Sequence, residues 1–442
     1  MSSDRRPDAL RASLYALLGV WLVCAYALTA VVLPAVADPL KWVMLLAGFI
    51  GIISYRPLRR CGGMYLLLFA VVIVLLSWGL SHLTHPQWAE RSPKLHRLTD
   101  WFTFLAVAWL LSAHRNGVWW AWLAGLVGLL LAPWLLGAGW HEWHAGWQGA
   151  RIDFGIHNAQ HTSLYFAVAA LALMAFLPRL AMSERGRWWR LGTAFPALLV
   201  CLLAVMMSQT RGVWLGLFIA FAVLFGVKSI ALVSRKGRHG RRLLLAFSAV
   251  FVVLIGTVFV VHGDRISARL IEERAVLTQA AEHGVSDALA ESSIGARLVV
   301  WRYGWDWFVE RPWLGWGGNG RRLIFDQETL PDGLPEGIGH LHSTYMDAAV
   351  NFGIAGVLLW LAIILWQARQ LWGGWRGHDL SFDMLAFYLS FVVFWLTVNA
   401  FESFMFFTSG SIIFALIMGG ALAPVWYNRR HSMPVDDSET GR

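Results

Sequence analysis

Long apolar runs, separated by short polar loops, leave this chain one environment in which to fold. About twenty apolar residues in a helix match the hydrocarbon thickness of a bilayer, and runs approaching that length recur throughout the 442 residues. With 57% hydrophobic and 14% charged residues, the chain is too apolar for a soluble domain. Backbone polar groups in lipid must be satisfied within each segment, so the expected fold class is an all-α polytopic membrane protein. About 12 transmembrane helices are expected, near residues 12–36, 40–54, 64–80, 101–112, 118–140, 164–177, 193–207, 213–233, 243–261, 348–366, 384–398 and 411–426. One interruption differs in kind. Residues 263–345 form a long polar segment, expected to contain short interfacial helices, and divide the chain into 1–262 (spans one to nine), 263–345, and 346–442 (spans ten to twelve and a tail).

The net charge of +9 is not a nucleic-acid signal, because Lys and Arg sit mainly in short loops between spans. Arg56–Arg60, Arg115, Arg179–Arg190 and residues 235–242 carry them, which places those loops and both termini in the cytoplasm and the long segment outside. Ala35-Val36-Ala37 resembles a signal-peptidase site, but the preceding run is longer than the usual signal core and cleavage would put the later charge bias out of register. The first span is therefore expected to stay. The three cysteines lie in or beside apolar runs, which gives no support to a disulfide framework. The 27 Trp suit interfacial belts.

The long segment concentrates Arg265, Arg269, Arg274, Arg297, Arg302, Arg311, Arg321 and Arg322 with His340 and His342 on a surface otherwise poor in charge. A lone histidine before a span is ordinarily a capping or snorkelling group; among so many arginines, His342 is also a candidate general base. Arg211 lies in the abrupt turn Ser208–Gly212, near the membrane plane, where it either anchors the turn or grips a phosphate at headgroup depth. Arg297, Trp301, Trp305 and Phe308 share one stripe of a helix that reads as interfacial. Pro312–Gly320 is rich in turns, where backbone could approach a phosphate. His141, His144, His157 and His161 look like metal ligands at first, but the H-x-x-H pair does not match H-E-x-x-H, and interfacial histidines are the plainer reading. No metal and no cofactor are expected. These residues together suggest a lipid-linked pyrophosphate held by arginines, with His342 accepting a proton from an attacking hydroxyl.

At these positions the chain resembles the O-antigen ligase and polymerase family of bacterial envelope proteins. His342-Ser343, nine residues, Gly353, two residues and Gly356 fit the family pattern H-[NSQ]-x9-G-x2-[GTY]. Ser208–Gly212 with Trp214, and Gly295-Ala296-Arg297 followed by Trp301 and Pro312–Gly317, look like further family features. The resemblance implies inverting, metal-independent transfer of a glycan from undecaprenyl pyrophosphate to a sugar of the lipid A core at the periplasmic face of the bacterial inner membrane. It maps an essential histidine to His342 and essential arginines to Arg211 and Arg297. His340, Arg265, Arg302 and Arg321 are expected to help position substrates. An O-antigen polymerase or a protein O-oligosaccharyltransferase would use the same donor and similar residues. A transporter or flippase would instead need discontinuous spans and ionisable residues near the bilayer midplane.

Overall fold

The computed structural model describes residues 5–182, 184, 186–234, 271, 273–334 and 338–432. Among them every regular element is helical and no strand occurs. Among the described residues, nine helices are long and apolar enough to cross a membrane. They are α2 (Pro34–Ser54), α3 (Gly62–Thr84), α5 (Gly117–Leu135), α6 (Ala159–Met182), α7 (Arg187–Met207), α8 (Arg211–Ser234), α11 (Thr344–Arg376), α12 (Phe382–Phe401) and α13 (Thr408–Ser432). The protein is an all-α polytopic membrane protein.

Three of the twelve expected spans are not among these nine. Helix α1 (Arg5–Val32) covers most of the first expected span, and Leu17–Val32 is the apolar part of it whose side chains are described. The expected fourth span is the nine-residue α4 (Thr103–Leu111), which follows two short helical turns from His96 to Phe102. Nine residues rise only about 14 Å. All but one of them are buried, packed against α2 and α13, so α4 lies inside the bundle rather than in lipid. The expected ninth span, residues 243–261, lies outside the described residues, as do the basic loop 235–242 and Arg265 and Arg269.

Long-range bonds fix which helix ends lie together. At one end, Arg430 donates to the Trp109 carbonyl and to Ser112, and Tyr55 reaches the Arg429 carbonyl. At the other, Lys41 pairs with Asp100 at 2.9 Å and the Trp101 indole donates to the Met405 carbonyl. This second end also carries the 271–343 segment, whose main elements are α9 (Ser293–Glu310) and α10 (Gly320–Gln327). The tryptophans divide their roles. Trp140, Trp147, Trp305, Trp313, Trp188 and Trp189 are exposed, as belts require, whereas Trp101, Trp360, Trp395 and Trp426 are fully buried core.

Helix α11 is interrupted at Gly353, whose φ of 64° belongs to the left-handed region that favours glycine. The Pro312–Gly317 turn enters that break. Ile354 donates to the Pro312 carbonyl at 2.8 Å, and Trp316 and Gly317 donate to the carbonyls of Val350 and Asn351 at 3.0 and 2.8 Å. A side chain at 353 would overlap the Trp313 carbonyl and the Leu314 nitrogen. The second glycine-containing half of the pattern after His342 thus serves a backbone junction that holds the long segment to the membrane helix.

Candidate active site

His342 sits one residue before the Ser343 that caps α11. Its φ of 48° is uncommon for a residue with a side chain, although histidine, asparagine and aspartate adopt it more often than the rest. Such a conformation costs on the order of 1–3 kcal/mol and persists only where surrounding bonds over-determine it. Those bonds are present. The Ser343 amide donates to Ser403 Oγ at 3.1 Å, Thr344 donates to Asn399 at 2.6 Å, and the Met405 amide donates to Thr344 Oγ1 at 3.3 Å. On the other side, the Trp301 indole donates to the Leu341 carbonyl at 2.7 Å, and the Leu341 amide donates to the buried Asp347 at 3.1 Å. Asp347 is also ion-paired with Arg321.

This clasp sets two imidazoles on one carboxylate. Glu402 Oε2 lies 3.0 Å from His342 Nδ1, and Oε1 lies 2.7 Å from His340 Nε2. The Ser403 amide adds a bond of 2.9 Å to Oε1. Glu402 is only 4% exposed. Burial alone would raise its pKa, but the bonds and charges of the two histidines outweigh burial and hold the carboxyl well below its ordinary range. An ionised Glu402 accepts from Nδ1–H of His342, which leaves the Nε2 lone pair of that ring as the basic atom.

Cations converge on this carboxylate. Arg297, on α9, is held by the Ser293 carbonyl and hydroxyl at 3.2 Å, and its Nε is sealed from solvent without an acceptor among the described residues. Burial lowers its pKa, Glu402 opposes that shift and Arg151 reinforces it, so the two arginines and the carboxylate share one field. Arg151 is itself tied to the Ser208 carbonyl at 3.2 Å, in the turn that leads to Arg211, and Arg211 pairs with Glu273. The N-termini of four helices meet here as well. Thr210, before α8, donates to the Ala159 carbonyl of α6 at 3.2 Å; His161 of α6 is hydrogen-bonded to Ser409 of α13; and Thr344 of α11 reaches the same turn as α13. Helix N-termini present positive dipole ends and free amides, a setting that favours anions.

Several expectations fare differently. Arg302 pairs with Asp287 at 2.6 Å and with the Val285 carbonyl at 2.7 Å, which ties α9 to the preceding turn, on bonds separate from the Glu402 group. Arg321 is 8% exposed and acts on Leu341 through Asp347. The Pro312–Gly320 turn is not an open phosphate cradle at 315–317, because those amides already donate to Arg311, Val350 and Asn351. Within H-E-x-H, Glu142 accepts from the amides of Phe154 and Ala138 at 2.5 and 3.2 Å, and so braces its own loop. His161, read from the sequence as interfacial, is buried and lies edge-on to Phe407 at 5.0 Å, in the wall of the site.

His340, His342 and Glu402 also form a donor set able to hold a metal, with ligand atoms within 4.8 Å of one another. A metal there would have to replace both carboxylate–imidazole bonds.

Residues 196–361 match the family model described as O-antigen ligase. The chain carries an O-antigen ligase-type domain. No curated protein matches the chain. The ligase-type match includes Arg211, Arg297, His340 and His342, and supports function of the ligase or polymerase type in the O-antigen pathway. Glu402 and Arg151 lie beyond it on either side. Glu402 carries a signal of its own in the sequence: it is the only charged residue between Asp383 and Arg429, set in a turn between two spans.

Proposed function

We propose that the protein is an O-antigen ligase, an inverting glycosyltransferase that moves a glycan from undecaprenyl pyrophosphate to a sugar hydroxyl of the lipid A core. The reaction is placed at the periplasmic face of the inner membrane, with both termini cytoplasmic. The observation that carries this reading is the His342–Glu402 pair, with Arg297 within electrostatic reach of the same carboxylate. Glu402 holds Nδ1–H, so Nε2 of His342 faces the task of a base. The acceptor hydroxyl gives its proton to Nε2 as its oxygen attacks the anomeric carbon. The bond from that carbon to the phosphate oxygen breaks on the opposite face, and undecaprenyl pyrophosphate leaves with the electron pair.

Arg211 and Arg297 are assigned to the pyrophosphate, whose charge grows in the transition state and gains most from fixed guanidinium groups in a partly desolvated site. Arg211 already holds a carboxylate, that of Glu273, so an anion is the partner its position accepts. His340 shares Glu402 and fixes its orientation. The polymerase and protein-glycosylating readings keep all of this chemistry and change only the acceptor.

The test is transfer by the purified full chain, with and without EDTA and with lipid A core, free donor and a protein as alternative acceptors. Lipid A core should be glycosylated by wild type, and the His342→Ala variant should lose on the order of 10²–10⁴ in rate, the range for a missing general base. Glycosylated protein or lengthened donor would reassign the acceptor. A wild-type rate in His342→Ala would remove that residue from the chemistry, and loss of activity on chelation would assign the His340–His342–Glu402 set to a metal.

A further inference from the structure

A second group of cations borders the same aromatic wall. The Arg321 guanidinium lies 5.3 Å from the Phe406 ring centre and 5.9 Å from that of Phe407, and Phe407 in turn lies 5.1 Å from His340. Beside Arg321, the buried Gly318 packs on the 94–97 segment so closely that a Cβ there would lie 2.7 Å from Lys94 Cβ and 3.4 Å from Arg97 Cγ. Arg97 is the unusual member. Among the described residues its side chain has no hydrogen bond or ion pair, and its Nε is closed to solvent. Burial and the charge of Arg321 lower its pKa, against the pull of Glu90, Asp347 and Asp100. Those carboxylates have partners of their own: Asp347 is paired with Arg321, Asp100 with Lys41, and Glu90 lies 3.8 Å from Lys94. The Gly318 amide likewise donates to no described residue, although buried amides are rarely left without an acceptor.

We propose that Arg97, Lys94 and Arg321, with the Gly318 amide, form a second anion site that receives a phosphate monoester of the acceptor lipid. A phosphate monoester supplies what these donors lack, a dianion with three acceptor oxygens for a guanidinium fork, an ammonium and a backbone N–H. Arg321, fixed by Asp347, provides a positive wall; Arg97 provides the open hydrogen bonds. The assignment to the acceptor rests on the ligase reading, in which Arg211 and Arg297 take the donor pyrophosphate. Phe407 touches both His340 and Arg321, so a lipid headgroup anchored here lies beside the base that must activate its sugar.

The experiment compares wild type, Arg97→Ala and Arg97→Lys, as full chains in detergent, with phosphorylated and enzymatically dephosphorylated lipid A core. Affinity for each lipid is first measured without donor, and the Michaelis constants for donor and acceptor follow. Arg97→Ala should weaken binding of the phosphorylated lipid by about tenfold or more, the scale of one lost charge-assisted hydrogen bond. Arg97→Lys should recover part of that loss, and the donor constant should not move. Removing the phosphates should weaken wild type by a similar factor and add little to the Arg97→Ala loss. Equal affinity of wild type for the two lipids would overturn the site without reference to any variant. So would an Arg97→Ala effect confined to the donor, or competition by inorganic phosphate that is the same with either lipid. The binding arm decides the site even if no glycan is transferred, so its failure is separable from failure of the ligase reading.

Discussion

At the residue scale, the site depends on one buried carboxylate that holds two imidazoles in place. Glu402→Gln keeps the volume of the side chain but replaces an ionised double acceptor with an amide that has one acceptor oxygen. Transfer should fall by at least about tenfold, the scale of a lost hydrogen bond to a charged group, while a rescue to near wild-type by Glu402→Asp would show that charge rather than reach is required. The same carboxyl makes a stability prediction with a defined sign. Its pKa is held below the ordinary 4.5, so its contribution is fully present above 4.5 and is lost progressively as pH falls below that value toward the native pKa. The gap in thermal midpoint between wild type and Glu402→Gln should therefore be steady from about pH 6 to 5 and narrow below about 4.5. A gap that widened on acidification would mean that Glu402 is protonated in the native protein. His342 was legible in the sequence because it precedes an apolar run within a known spacing. Glu402 was not, since its partners lie 60 and 62 residues away along the chain.

At the scale of elements, the junction between the long segment and α11 determines where His342 stands. The break at Gly353 lets the Pro312–Gly317 turn bond directly to helical carbonyls and amides on both sides of the kink. Gly353→Ala combines a left-handed φ with overlap on the Trp313 and Leu314 backbone, and should cost at least about 2 kcal/mol. A fall of several degrees in the thermal midpoint of detergent-solubilised protein checks this, and an unchanged midpoint would show that the break tolerates a Cβ. The sequence marked Pro312–Gly320 as rich in turns and Gly353 as a member of the spaced pattern after His342. It did not show that each is the other's partner, because a backbone junction leaves no periodic trace in side-chain pattern. The same limit explains α4: its apolar composition reads as a span, yet its shortness and burial place it within the bundle.

For the whole molecule, the positive-inside bias predicts that the end bearing His342 and the 271–343 segment faces the periplasm. His283 is exposed at that end and Glu184 is exposed in the connection between α6 and α7, at the opposite one. In intact spheroplasts a membrane-impermeant maleimide should label His283→Cys and leave Glu184→Cys unreacted until lysis; the reverse pattern would invert the topology. Apolar length and the placement of Lys and Arg are local properties written along the chain, and they determined the membrane class, the helical architecture and the position of the long polar segment. They also marked His342, Arg211 and Arg297 as residues of interest, since each stands out against an apolar background. Only the tertiary structure decided that Glu402 holds both histidines, that Arg151 and Arg297 lie within electrostatic reach of each other, and that Arg97 and Gly318 meet beside Arg321. Those groups come from loops far apart in sequence, and what brings them together is the packing of helices whose ends share one face of the bundle.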